Sequence, residues 1–333
     1  MNAASRIAVL GAGSWGTALA IQFARAGHPA VLWGRDPAHV EAMARSRRNS
    51  RYLPDVDFPE LLEVAIDLRA AVARAEDVLI VVPSHGFRAM LEALTALRVR
   101  RLAWATKGFE LDTGLLPHQV VEQIFSTGLP TAVLSGPTFA REVGAGLPSA
   151  MTIASTHGDY AQQLAASIST DVFRAYTSSD VVGVEVGGAT KNVFAIGAGI
   201  SDGLGYGANT RIALITRGLA EMTRLGLALG GRQETFMGLA GVGDLVLTCT
   251  DDQSRNRRFG LALARGHSVE QALREIGQVV EGFNGARAVH EVATRRKVEM
   301  PIIEQLYKVL HEGLSPPAAV AALMRRPIAP EQG

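Results

Sequence analysis

Ile7-Ala8-Val9-Leu10-Gly11-Ala12-Gly13-Ser14-Trp15-Gly16-Thr17-Ala18-Leu19-Ala20 decides how this chain is read. A short apolar run reaches three glycines spaced G-x-G-x-x-G, and an alanine-rich run of helical character follows. Strand, glycine turn and helix in that order form the setting in which this spacing binds a dinucleotide. Gly11 permits the tight turn, Gly13 admits a pyrophosphate to the backbone, and Gly16 lets the helix pack close to the strand. The start of the helix offers unpaired N–H groups and the positive end of its dipole to that pyrophosphate. The stretch therefore predicts a site for NAD or NADP.

A second apolar run, Ala30-Val31-Leu32-Trp33, arrives at the spacing of a βαβ unit. Its end reads the choice of cofactor, because a carboxylate there would bond the ribose 2′-hydroxyl of NAD. This chain has Gly34-Arg35-Asp36-Pro37 instead. Arg35 suits an adenosine 2′-phosphate and favours NADPH, with NAD left open. Asp36 reads as a helix N-cap, with Pro37 at the first helical position. Arg45, Arg47, Arg48 and Arg51 read as a solvated face beside a cofactor phosphate.

Composition narrows the class. At 333 residues the chain has the length of two domains, and 47% hydrophobic residues allow a substantial core. A formal net charge of +1 without a strong basic run argues against a nucleic-acid partner. Cys249 is the single cysteine, which excludes an internal disulfide and a thiolate zinc site and fits a reducing compartment. The eight histidines are scattered, so no metal is expected. With no signal sequence and no apolar run long enough to span a bilayer, a cytoplasmic location is expected.

The first half alternates strands and helices. Apolar, β-branched runs at 77–82, 102–106, 131–134, 150–154 and 172–176 predict strands. Three of them end at Pro83-Ser84-His85, Lys107-Gly108 and Ser135-Gly136-Pro137-Thr138. Such an alternation predicts a doubly wound, Rossmann-type α/β sheet over residues 1–179, with ligands beyond the carboxyl ends of its strands. After Asp180, itself a candidate cap, helical periodicity covers 181–200, 211–229, 257–264, 269–276, 286–295, 302–310 and 317–324. A second, all-helical domain over 180–330 follows, with glycine-rich connections at 201–207 and 238–243. The tail from Pro327 is expected to be disordered.

A cleft between two such domains should gather polar residues. Lys191-Asn192 interrupts an apolar run of small residues. Burial there would lower the lysine's pKa and suit proton transfer; the alternative is a lysine reaching back to water. Asp244 reads either as a helix cap or as the partner of a lysine. Ser254-Arg255-Asn256-Arg257-Arg258 offers hydroxyl, amide and guanidinium donors for a phosphate, or else a solvated helix start. Cys249 reads as packing, His85 carries little signal, and Ser135 lacks a nucleophile elbow.

Taken together, these blocks closely resemble the bacterial NAD(P)-dependent glycerol-3-phosphate dehydrogenase family. The likeness is carried by the opening glycine turn, Val81-Val82-Pro83-Ser84-His85, Trp104-Ala105-Thr106-Lys107-Gly108, Leu134-Ser135-Gly136-Pro137-Thr138-Phe139-Ala140, 187–203, 239–258 and Gly277-Gln278-Val279-Val280-Glu281-Gly282. The resemblance implies reduction of dihydroxyacetone phosphate to sn-glycerol 3-phosphate for glycerophospholipid synthesis, in a cytoplasmic homodimer. It implies Lys191 as general acid/base, with Lys107, Asn192 and Asp244 around the reacting carbonyl. Gly136, Thr138, Ser254, Arg255 and Asn256, together with Lys107, Lys191 and Asp244, match substrate-binding positions. Gly11, Gly13, Ser14, Trp15, Gly16, Arg35, Lys107, Ala140, Arg255, Val279 and Glu281 match cofactor-binding positions. A dehydrogenase of β-hydroxyacids or of a sugar-phosphate acid and a catalytically silent NADP(H)-binding protein are the rival readings.

Overall fold

The computed structural model describes residues 5–125 and 128–327. The opening apolar run forms β1 (Ile7–Leu10), buried along its whole length, as an aliphatic strand covered on both faces must be. In chain order follow β2 (Ala30–Trp33), β3 (Arg48–Asn49), β4 (Leu53–Asp57), β5 (Leu62–Ala65), β6 (Asp77–Ile80), β7 (Arg101–Trp104), β8 (Thr131–Ser135), β9 (Ser149–Ala154) and β10 (Phe173–Ser178). Eight of these strands form one sheet in the order β10-β9-β8-β7-β6-β1-β2-β5, while β3 and β4 make a separate hairpin. From β1 the chain runs outward through β2 to β5, then returns to β6 on the other side of β1. The carboxyl ends of β1 and β6 thus flank the switch point where an open α/β sheet binds its ligands.

The sheet differs from the sequence reading in three places. β9 pairs antiparallel with β8, although its other neighbour β10 runs parallel to it. β5 went unread because it is a short edge strand, Leu-Glu-Val-Ala, buried at one position only. The basic stretch around Arg47 is not simply a solvated face. Arg47 takes a left-handed conformation at φ 52°, and its guanidinium donates to the carbonyls of Leu62 at 2.7 Å and Pro59 at 2.6 Å. Arg48 pairs with Asp57 across the hairpin. Arg47 thus ties the hairpin to edge strand β5, and the Arg48–Asp57 pair holds β3 to β4.

Beyond β10 the described chain is helical. The helix Val181–Gly203 is the axis of this half, and residues 183–201 are all buried. A helix buried on every side is a core helix. Helices Ala208–Ala228, Asp244–Thr250, Arg255–Ala264, Glu281–Arg296 and Pro301–His311 all pack against it. Contact with Arg255–Ala264 is backbone to backbone. A Cβ at Gly199 would strike the carbonyl of Arg257, and one at Gly260 would strike that of Ile196. The glycine-rich connection at 238–243 kinks at Gly241, whose φ −101° and ψ −106° are not helical, and runs directly into Asp244–Thr250. Of the tail expected to be disordered, residues 328–333 lie outside the described residues.

Asp180 joins the two halves, and its carboxylate does more than cap. Oδ1 accepts from Gly183 N at 2.9 Å, and Oδ2 accepts from Arg232 N at 2.8 Å and Thr235 Oγ1 at 2.6 Å. Removing it loses a cap and leaves a buried donor unpaired. Asp180→Ala should therefore lower unfolding free energy by about 2–4 kcal/mol in urea titrations. A loss confined to a few tenths of a kcal/mol would contradict this role.

Candidate active site

Lys191 projects from the central helix and is only 8% exposed, so it does not reach back to water. Its Nζ donates to Asp244 Oδ1 and, at 3.1 Å, to Thr248 Oγ1. Asp244 is fully buried at the first position of its helix, where Gly243 is the cap residue and no side chain caps the turn. The partner reading of Asp244 is therefore the one realised. Its Oδ2 accepts from Lys107 Nζ at 2.7 Å. Thr248 lies one turn further on, its hydroxyl donating to Asp244 O at 2.6 Å and so turning a lone pair toward Lys191. Thr248 went unread because its role depends on the helix register after the kink at Gly241.

One carboxylate between two ammonium groups leaves a net positive charge when both lysines are protonated. Burial raises the Asp244 pKa, but Lys107 and Lys191 outweigh it and hold the carboxyl below its usual range. For Lys191 burial dominates; it outweighs the attraction of Asp244, Lys107 adds repulsion, and the pKa falls to about 8. The chain contains only four lysines, at 107, 191, 297 and 308, among 33 basic residues. Two of the four meet at Asp244. Arginine could not replace them in proton transfer, because its guanidinium stays charged in proteins.

The glycine turn lies at the same edge of the sheet. Gly11 sits at φ +128°, and a Cβ there would strike the carbonyl of Val81, just past β6. A Cβ at Gly16 would strike Gly11 O. Gly13 is different: its backbone is extended, and an added Cβ would meet nothing within 4 Å. The protein itself does not require glycine there, so the open space above this helix start fits a pyrophosphate. Ser14 begins that helix and Trp15 packs partly against the sheet core. Beneath the turn, buried Asn49 donates to Ala12 O at 3.1 Å and Thr17 Oγ1 at 2.8 Å. Its place in the β3–β4 hairpin hid that support. Lys107 follows β7, the neighbour of β6, and Thr106 donates to Val82 O at 2.8 Å. Arg35 is exposed past β2, and Asp36 caps the next helix through His39 N at 3.3 Å.

The polar cluster after residue 253 divides by task. Ser254 caps its helix through Arg257 N at 3.2 Å. Asn256 Oδ1 accepts from Gly282 N at 2.8 Å. Arg257 is turned inward onto Cys249 O, Asp202 and Asp252. Arg255 makes one bond, to Gln278 Oε1 at 3.2 Å, beside half-exposed Val279. Asn192 donates to Glu281 Oε2 at 3.0 Å. Gly136, at φ +147°, brings its backbone against Met151, Thr138 Oγ1 donates to Gly136 O at 3.2 Å, and Ala140 opens the next helix. Cys249 is buried with its thiol pushed up to about 12, which leaves it inert. Among the described residues no cluster could hold a metal ion and no helix is long and apolar enough to cross a membrane.

A dinucleotide-binding sheet facing two lysines joined by one buried carboxylate defines an NAD(P)-dependent dehydrogenase. Family models described as the N-terminus and the C-terminus of NAD-dependent glycerol-3-phosphate dehydrogenase match residues 6–161 and 180–321. A glycerol-3-phosphate dehydrogenase [NAD(P)+] of Aeromonas hydrophila is 56% identical over 323 residues, covering 96% of this chain and 97% of that one. That of Nitrosococcus oceani is 57% identical over 328 residues, covering 98% and 95%. The crystal structure of glycerol-3-phosphate dehydrogenase from Coxiella burnetii superposes with a TM-score of 0.94 at 47% identity, covering 97% of this chain and 99% of that one. A D-mandelate dehydrogenase shares the fold alone, with a TM-score of 0.63 at 13% identity. The chain belongs to the NAD(P)-dependent glycerol-3-phosphate dehydrogenase family.

The contrast between two glycines is testable. Gly16→Ala should lower stability by about 1–3 kcal/mol through its clash. Gly13→Ala should leave stability within about 0.5 kcal/mol yet weaken NADPH binding at least ~10-fold, a difference of ~1.4 kcal/mol. Fluorescence titration with NADPH and urea unfolding separate the two effects; unchanged NADPH affinity in Gly13→Ala would refute the pyrophosphate site.

Proposed function

We propose that this protein reduces dihydroxyacetone phosphate to sn-glycerol 3-phosphate with NADPH, and that it accepts NADH as an alternative. The observation that carries this reading is Asp244 holding Lys107 and Lys191 at the carboxyl edge of a dinucleotide-binding sheet. The same reading includes a homodimer, a cytoplasmic location and a division between domains at Asp180.

When bound, the reduced nicotinamide supplies a hydride to the ketone carbon. Negative charge then grows on the ketone oxygen, and the net positive charge of the lysine pair stabilises it. Lys191 donates its proton to that oxygen, which its lowered pKa favours. Lys107 polarises the carbonyl, and Asp244 fixes both ammonium groups so that neither must reorganise. Arg255, with Ser254, Asn256, Gly136 and Thr138, would hold the substrate phosphate and so fix the carbonyl for attack. Gly11, Gly13, Ser14, Trp15 and Gly16 would hold the cofactor pyrophosphate end, and Arg35 would face an adenosine 2′-phosphate. Ala140, Val279 and Glu281 would border the remainder of the cofactor. Asn192 serves by fixing Glu281. A silent cofactor binder would have no use for two ammonium groups held on one buried carboxylate.

The pH dependence follows from the Lys191 pKa of about 8. Reduction needs the ammonium, so its kcat/KM should fall as pH rises through about 8, while oxidation of glycerol 3-phosphate should rise over the same range. Parallel profiles in the two directions would contradict the assignment. Lys191→Ala should lose ~10²–10⁴ of kcat with NADPH affinity retained. Arg255→Ala should raise KM for dihydroxyacetone phosphate by ~10–100-fold, as expected for losing a charge-assisted bond. The reading itself is tested by cofactor oxidation with dihydroxyacetone phosphate, run separately with NADPH and NADH; no turnover with either would sink it.

A further inference from the structure

Glu185 is a buried carboxylate that the proposed chemistry does not use. It is 4% exposed and lies on the central helix. Lys191 follows six residues later, a rise of about 9 Å. Oε1 of Glu185 accepts from Trp104 Nε1 at 2.9 Å and from His118 N at 2.9 Å, and Oε2 faces His118 Nδ1. Trp104 ends β7, three residues before Lys107, and His118 stands in the first turn of helix Pro117–Ile124. Both ends of the segment that carries Lys107 are therefore tied to one carboxylate on the helix that carries Lys191.

The tie has little slack. Gly188 lies between Glu185 and Lys191 on the same helix, and a Cβ there would come within 3.4 Å of both Lys107 Cγ and Ser135 Oγ. The stem of Lys107 thus lies close along the helix backbone, and a shift of its segment moves the ammonium group relative to Asp244. A buried carboxylate holds such a register because losing any donor leaves it undersolvated. Burial disfavours the His118 imidazolium, but Glu185, with Glu122 behind it, outweighs that and raises the pKa. The pair is then charge-assisted.

We propose that Glu185 is a positioning residue, a clamp that sets where Lys107 stands relative to Asp244 and Lys191. The inference rests on the function proposed above. It is tested in the full chain with Glu185→Ala, Glu185→Gln and His118→Ala, assayed with dihydroxyacetone phosphate and NADPH across pH. Glu185→Ala should lower kcat by ~10²-fold, the scale of a 1 Å misplacement, with the NADPH dissociation constant unchanged. Its pH midpoint should move upward, because Lys191 loses the repulsion of Lys107. Glu185→Gln keeps an acceptor for Trp104 and His118 N and should recover most of the rate. If Glu185→Ala does not fold, His118→Ala carries the test, with a smaller loss and the same upward midpoint. An unmoved midpoint, or kcat and NADPH affinity falling together, overturns the clamp. A crystal structure of the folded variant decides without activity. Lys107 Nζ displaced from Asp244 supports the clamp, and contact retained at 2.7 Å overturns it. Wild-type protein without turnover counts against the function, and that distance still judges the clamp.

Discussion

The structure depends on one buried carboxylate shared by two ammonium groups. Asp244 has no exposed surface, and a carboxylate removed from water is tolerated only when it is paired and hydrogen-bonded. Its partners come from different halves of the molecule. Lys107 follows a strand of the sheet, and Lys191 stands in the middle of the central helix. Losing either partner would strand a charge in the interior, so the pairing fixes how the helical half meets the carboxyl edge of the sheet. It also yields a site with one positive charge to spare when both lysines are protonated.

The choice of lysine has a physical reason. The chain has 33 basic residues and only four lysines, so arginine does nearly all the surface and structural work. Arg47 braces a hairpin and Arg257 fills a buried corner between Cys249 and Asp202. Both tasks suit a planar, permanently charged fork. Proton transfer does not, because a guanidinium keeps its proton in proteins. Burial and a second cation can bring a lysine near neutrality, and the structure applies both to Lys191.

Much of this was legible in the sequence where a local rule operates. The glycine turn announced its strand and helix, and the aliphatic strands were readable because both faces are buried. The caps at Asp36 and Asp180 were readable because short acidic residues before helices have few other uses. Helix Val269–Ile276 was bounded correctly, since Ser268 and Gly277 mark its ends. What local rules could not reach was long-range pairing. A glycine-aspartate step before a helix looks the same whether Asp244 caps the turn or binds a lysine 53 residues away. The inward turn of Arg257, the Asn192–Glu281 bond and the antiparallel β9 are likewise set by tertiary contacts. For the site, family resemblance supplied the roles, and the coordinates supply the contacts among Lys107, Lys191 and Asp244.

The scarcity of lysine makes the central claim directly measurable. Labelling the lysine side chains with ¹⁵N should give four ammonium signals, and the one missing in Lys191→Ala identifies the buried group. The account predicts that this signal titrates near about 8. Titration of that signal at the ordinary lysine value of about 10.4 would contradict a Lys191 ammonium made a ready proton donor by burial and by Lys107.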